Sequence, residues 1–245
     1  MKASKIPFDR FDPQSRLVFF TGAGISAESG IATFRDPQGL WSKYDPMKLA
    51  SPAGFEADPE LVLSWYAHRR EMVARAQPNL GHQFITDFQK LFQHSVVITQ
   101  NVDGLHEKAG NQHIYELHGN IHRHKCHRCR KVHNLEDHQM RALYTCDCGG
   151  LIRPDVVWFG ENLDSETLQA AFEAARTCDL MFMVGTSAQI YPAAQLPYEA
   201  QARGAFVIEI NPEATPFTVV TDLYIQGEAG KVMPQLYEEF NAQLN

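Results

Sequence analysis

Four cysteines crowd into one short stretch of the chain. Cys126 and Cys129 are spaced C-x2-C, and Cys146 and Cys148 follow as C-x-C after sixteen intervening residues. Two such pairs can place four thiolates on one ion. A tetrahedral sulfur set has no open position for water, so the expected role is one structural zinc and not catalysis. The second pair is one residue shorter than usual. Gly149-Gly150 behind it permit an unusual turn, and His127 or His133 remains open as a replacement for one cysteine. A second group is dispersed in sequence but alike in setting: Gln100, Asn101, Asp103, His118, Ser187 and Asn211 each stand just past an apolar run. His118 is the only histidine so placed, and an imidazole titrates near working pH, which makes it the natural general base. Asn101 and Asp103 could orient an amide or a water, although Asn-x-Asp-Gly also suits turn and helix-cap chemistry. A third group is Gly22-Ala23-Gly24-Ile25-Ser26-Ala27-Glu28-Ser29-Gly30 after the apolar run Leu17–Phe20. Strand, glycine loop and helix start form a phosphate site, because the backbone turns tightly and helix N–H groups face the anion. The acid that usually follows about 20 residues later to hold a ribose is missing, so the ribose contact must come from elsewhere. Finally, Tyr66 and Arg69 are i and i+3, on one helical face, where a phenol and a guanidinium can grip a carboxylate.

These groups need elements to hold them. Apolar runs predict strands at Leu17–Phe20, Ser95–Thr99, Ile114–Leu117, Val156–Phe159, Leu180–Val184 and Phe206–Ile210. Between them, helices are expected over 81–92, 165–177, 193–203 and 231–244. The stretch 46–77 reads as a helical excursion, with Asp58 as N-cap, Pro59 at the first turn and Pro78 as the stop. Alternating strands and helices predict an α/β fold with a doubly wound, mostly parallel, Rossmann-like sheet. Two segments interrupt it and are expected to form a smaller zinc-binding and helical lobe. The expected division is 1–45, 78–120 and 151–245 for the large domain, with 46–77 and 121–150 for the small one. In such a sheet the carboxyl ends of the strands converge on one crevice, which is where the polar residues above would meet. The loop 31–41, with Phe34, Arg35 and Trp41, could fold over a ligand there.

Composition narrows the classes. Of 245 residues, 44% are hydrophobic, enough for a sizeable core. The net charge of −7 and the lack of a long basic run argue against a direct nucleic-acid partner. No apolar stretch approaches the ~20 residues of a membrane span, and the first ten residues have no apolar signal core. A cytoplasmic monomer without membrane contact is the expectation.

In their order along the chain, Gly22-Ala23-Gly24-Ile25-Ser26, Phe34-Arg35, Gln100-Asn101-Val102-Asp103, His118-Gly119, the four cysteines, Gly185-Thr186-Ser187 and Asn211 resemble the sirtuin family of NAD-dependent protein deacylases, of a bacterial-like type. The resemblance runs from about residue 17 to 240. It implies that NAD is a co-substrate. The acyl oxygen of a modified lysine on a protein attacks the nicotinamide ribose, nicotinamide leaves, and the acyl group ends on ADP-ribose, with His118 activating a ribose hydroxyl. It implies an NAD site drawn from Gly22, Ala23, Gly24, Ser26, Glu28, Thr33, Phe34, Arg35, Trp41, Gln100, Asn101, Asp103, Gly185, Thr186, Ser187, Asn211 and Ala229. Asn101 and Asp103 would join His118 around the reacting ribose, and Asn211 would take the place of the missing acid. Val156, Trp158 and Phe159 resemble the segment that pairs with the substrate backbone as an added strand. Tyr66-x-x-Arg69 is similar to the pair in sirtuins that remove succinyl groups, and Ala50 lies where a small residue leaves room for a longer acyl chain. Alternatives carried beside this reading are mono-ADP-ribosyl transfer and a non-catalytic NAD-binding zinc scaffold.

Overall fold

The computed structural model describes residues 6–33, 45–133, 135 and 143–244. Six parallel strands form the main sheet: β1 (Arg16–Thr21), β2 (His94–Thr99), β3 (Ile114–Glu116), β7 (Leu180–Val184), β8 (Phe206–Asn211) and β9 (Leu223–Gln226). Their spatial order is β3-β2-β1-β7-β8-β9. The strand order therefore reverses between β1 and β7, the point where ligands bind in doubly wound sheets.

The central strands are apolar on both faces because helices cover both. Successive side chains of a strand point to opposite sides. Accordingly Leu17 and Phe19 join one core with Phe88, Phe182 and Phe240, while Val18 and Phe20 join another with Met181 and Met183. The helices Leu80–Leu91 and Ala229–Leu244 close the first face, and Ser165–Thr177 and Leu196–Ala202 close the second. This explains the near-continuous apolar runs that marked the strands. Among the described residues no helix is long and apolar enough to cross a membrane.

A second, three-stranded sheet has the order β5-β4-β6, from β4 (Gly119–Cys126), β5 (Val132–His133) and β6 (Ile152–Val156). The strand expected at 156–159 therefore lies earlier, at Ile152–Val156, and the small sheet reaches beyond 121–150 on both sides. Its strands carry Lys125 and Arg153, both buried, and Lys125 pairs with Asp155 at 2.8 Å. Against this sheet packs the helical excursion, in three helices: Pro46–Leu49, Pro52–Ala57 and Pro59–Arg75. Each begins with proline in its first turn behind a side-chain cap, from Asp45, Ser51 and Asp58. Leu49, Phe55, Val62, Tyr66, Ile121, Val156 and Trp158 form their common core.

Candidate active site

The two strand ends at the reversal are joined backbone to backbone. Gly22 N–H donates to Val184 O at 3.1 Å, and Gly24 N–H donates to Gly185 O at 2.8 Å. A Cβ on Gly22 would lie 2.8 Å from Thr186 Cα, and one on Gly185 would lie 2.3 Å from Ile25 N. The glycines are thus required for strand ends to touch. Residues 23–29 form a short 3-10 helix, not the α-helix start expected there. Glu28 spends its carboxylate on the Gly230 N–H, at 2.7 Å, next to buried Ala229 at the start of the last helix. Thr33 is half-buried. Phe34, Arg35 and Trp41 lie outside the described residues.

Beyond the glycines, the polar residues of the strand ends form one network. Ser26 is fully buried, and its hydroxyl donates to Asp103 Oδ2 at 2.7 Å. Asn101 Nδ2 donates to Gly22 O at 3.1 Å and to Ser26 Oγ at 3.2 Å. Asp103 Oδ1 accepts the Leu105 N–H at 2.9 Å, so the helix-cap role and the network role fall on the same carboxylate. Burial raises the Asp103 pKa, opposed by these hydrogen bonds. Gln100 Nε2 reaches across to Thr186 Oγ1 at 2.7 Å. Ser187 is half-buried beyond it.

His118 sits where the main sheet gives way to the small one. Its Nδ1 lies 2.9 Å from Gln100 O. A carbonyl oxygen can only accept, so Nδ1 carries the hydrogen and Nε2 keeps a lone pair. Burial lowers the His118 pKa, against the raising effect of this hydrogen bond. The imidazole is therefore neutral at working pH, the state a base requires. Gly119 follows with φ +79°, and a Cβ there would lie 2.0 Å from Asp155 O, so only glycine lets the chain turn into β4.

Asn211 is held through its amide nitrogen. Its Nδ2 donates to Thr186 O at 3.0 Å and to Glu209 Oε1 at 3.1 Å. Both amide hydrogens are engaged, which leaves Oδ1 as an acceptor, the property the absent carboxylate would have supplied. Glu209, fully buried, also accepts from Thr215 Oγ1 at 2.7 Å and from Thr218 Oγ1 at 2.6 Å. It fixes Asn211 and carried no signal in the sequence, because it reads as one polar residue in an apolar run.

His82 and His106 were also missed. They stack edge to face with ring centroids 4.9 Å apart, behind Ser26 and Thr21. Burial pushes the His82 pKa down to about 4, and that of His106 well below its usual value. The unfolded chain takes up a proton on His82 near pH 6.5 while the folded one does so only near 4. Between those values the unfolded state binds more protons, so stability falls as pH drops through this window, by about 3 kcal/mol for this one group. We expect His82→Gln to flatten the fall in urea midpoint between pH 7.5 and 4.5. A variant with the wild-type slope would remove His82 as its source.

The helix Pro59–Arg75 brings Tyr66 to the small-sheet core beside Ala50 and Trp158, with Arg69 three residues on. Tyr66 is buried, and Arg69 is half-buried with its guanidinium 5.0 Å from the Trp65 ring centroid. Burial lowers the Arg69 pKa, against the raising effects of the Tyr66 phenol and the Asp103 carboxylate, and no carboxylate among the described residues lies within salt-bridge distance of it. Val156 ends β6. The N–H groups of Val157, Trp158 and Phe159 donate to His118 O, Glu161 Oε2 and Ala50 O, at 2.9 Å each. Trp158 is buried, whereas the Phe159 side chain is exposed.

The four cysteine sulfurs lie within 4.8 Å of one another. The Cys126–Cys148 and Cys129–Cys146 distances are 3.5 and 3.7 Å. Tetrahedral zinc–thiolate bonds of about 2.3 Å imply sulfur separations of about 3.8 Å. The set fits one structural zinc ion with no histidine in it. His127 instead packs edge-on against Phe55, ring centroids 5.1 Å apart. The short C-x-C spacing is accommodated by Gly150, where a Cβ would lie 2.8 Å from Cys126 Sγ.

Comparison with known proteins agrees with this geometry. Residues 22–192 match the model of the Sir2 family. A protein of Pyrobaculum aerophilum named NAD-dependent protein deacylase 2 is 49% identical over 228 residues, covering 93% of this chain and 92% of its own. A Sir2 homologue solved as an ADP-ribose complex superposes with a TM-score of 0.89 at 40% identity, over 99% of this chain and 97% of that one. A Sir2 homologue bound to NAD gives 0.86 at 43% identity, over 94% and 91%. With the crevice, the histidine and the sulfur cluster all in place, the chain belongs to the Sir2 family.

Proposed function

We propose that this protein is an NAD-dependent protein-lysine deacylase that removes succinyl as well as acetyl groups, transferring them to ADP-ribose and releasing nicotinamide. NAD is the co-substrate and the four thiolates hold one structural zinc ion. The six-stranded sheet and its helices carry NAD, and the three-stranded sheet with the helices Pro46–Leu49, Pro52–Ala57 and Pro59–Arg75 carries the acyl pocket. NAD supplies the electrophilic ribose carbon and the leaving nicotinamide. The Asn211 Oδ1 accepts from a ribose hydroxyl of the adenosine half, with the Gly185–Ser187 turn beside it. Because the Gly22 and Gly24 N–H groups are engaged by β7 and its following turn, the diphosphate is met by Ala23. Asn101 and Asp103, locked through Ser26, line the nicotinamide side. His118 Nε2 takes the proton of a ribose hydroxyl, and the Gln100 carbonyl stabilises the imidazolium that results. A substrate peptide lies against the exposed Phe159 side chain, since the N–H groups of Val157, Trp158 and Phe159 are all engaged within the chain.

The acyl preference rests on one observation: Arg69 is a half-buried cation one helical turn from Tyr66, and among the described residues no carboxylate comes within salt-bridge distance of it, Asp103 acting on it only from further away. A buried charge is costly unless paired, and the carboxylate of a succinyl group would pair it. The test compares kcat/KM for succinyl- and acetyl-lysine versions of one peptide with NAD, with acyl-ADP-ribose sought among the products. Activity on both peptides with acyl-ADP-ribose formed supports the reading. ADP-ribosylated peptide without that product would replace it with ADP-ribosyl transfer.

A further inference from the structure

Trp158 falls in the segment that resembles the peptide-pairing strand, yet its side chain is buried and points into the small-sheet core. Its indole Nε1–H donates to the Tyr66 hydroxyl oxygen at 2.8 Å. The indole is fixed from three directions. Its backbone N–H is held by Glu161 Oε2 at 2.9 Å. The Arg153 guanidinium lies 3.8 Å from the ring centroid. Phe55 packs on it at 5.3 Å between centroids. Arg153 is itself fully buried, donates to Val156 O at 2.9 Å and forms an ion pair with Glu161. This is a large buried polar investment for one indole.

Its chemical effect falls on Tyr66. An indole N–H only donates, so the phenol oxygen must accept from it. The phenol hydrogen is then left for another acceptor, and among the described residues none receives it. Burial pushes the Tyr66 pKa up to about 12, so the group stays a neutral O–H donor. Arg69 lies on the same helical face three residues on. Were the phenol oxygen unoccupied, it could accept from that guanidinium and the two clamp residues would satisfy each other. We propose that Trp158 is a positioning residue for acyl selectivity: by filling the acceptor site of Tyr66 it turns the phenol hydrogen toward the substrate carboxylate and keeps the clamp open. The inference rests on the carboxylate-clamp reading of Tyr66 and Arg69 and adds the residue that orients it.

The test uses the full chain with NAD and the paired succinyl- and acetyl-lysine peptides, in wild type, Trp158→Phe, Tyr66→Phe and the double variant. Trp158→Phe keeps an aromatic ring and removes only the donor end. The succinyl-to-acetyl ratio of kcat/KM is expected to fall about tenfold, mainly through the succinyl KM, since a hydrogen bond to a charged group contributes roughly this much. In the Tyr66→Phe background the same change should lower the ratio no further. Equal losses on both peptides, or losses that multiply in the double variant, would show that Trp158 only supports packing. A substrate-free readout accompanies this. The indole resonance missing from the nitrogen–proton spectrum of Trp158→Phe, or assigned directly if that variant does not fold, should shift in Tyr66→Phe. An unmoved resonance overturns the proposal. A wild type inactive on the succinyl peptide would instead overturn the clamp reading beneath it.

Discussion

His118→Tyr is expected to lower the deacylation rate by about 10²–10⁴-fold while NAD still binds within about threefold of its wild-type affinity. The reason is positional. The Gln100 carbonyl fixes the hydrogen on Nδ1, so Nε2 is the only basic atom the ring offers to the crevice. Tyrosine fills similar space but brings a phenol, which is no base near neutral pH. The contacts assigned to NAD at Asn211, Ala23 and Asn101 are untouched. Rapid-quench assay of product and calorimetric titration of NAD separate the two effects. The pH profile adds a second readout. Because burial lowers the His118 pKa below 6.5, the acid limb of kcat/KM should have its midpoint below that value: the base is lost only when pH falls through the lowered pKa. Full turnover in the tyrosine variant would remove His118 from the mechanism.

Arg69→Met is expected to cut kcat/KM on the succinyl peptide by about 10- to 150-fold and largely to spare the acetyl peptide. Charge-assisted hydrogen bonds contribute about 1.5–3 kcal/mol, which sets the range. Methionine keeps the length and apolar stem of the side chain, so packing against Trp65 is largely retained while the charge goes. The loss should appear mainly in KM, because the carboxylate is remote from the reacting carbon and is held equally before and during reaction. Parallel kinetics on the two peptides measure it. Equal loss on both would mean that Arg69 supports the fold of the helix Pro59–Arg75 and not a carboxylate.

The large sheet was legible because its strands are buried on both faces and therefore write unbroken apolar runs. Leu180–Val184 and the helix Ser165–Thr177 stand where the sequence placed them. The edge strand Leu223–Gln226 went unread: it is four residues long and buried on one position only, too little for a pattern. The small sheet was invisible for another reason. Gly119–Cys126 carries His122, Arg123, His124 and Lys125 in a row; the first two are exposed, the last two are buried, and Asp155 of the partner strand pairs the buried lysine. Pairing between distant segments of that kind leaves no periodic trace. Site residues followed the same division. His118, Asn101, Asp103 and the cysteines could be singled out because strand ends and spacing announce them, and the structure joins Asn101 and Asp103 through Ser26 and gathers the four sulfurs. His82, Glu209 and Arg153 act through neighbours that only the fold supplies.

The contact of Gly22 and Gly24 with Gly185 also bears on how such a protein can diversify. Where backbones meet without side chains, there is nothing to vary: this contact offers selection no handle except loss. The acyl pocket proposed above is built oppositely, from side chains on the helix Pro59–Arg75 and from Ala50 at the end of the helix Pro46–Leu49. In that proposed pocket, positions 50, 66 and 69 can be exchanged while the glycine contact is inherited unchanged, a partition of evolvability that follows from where glycine is sterically compulsory.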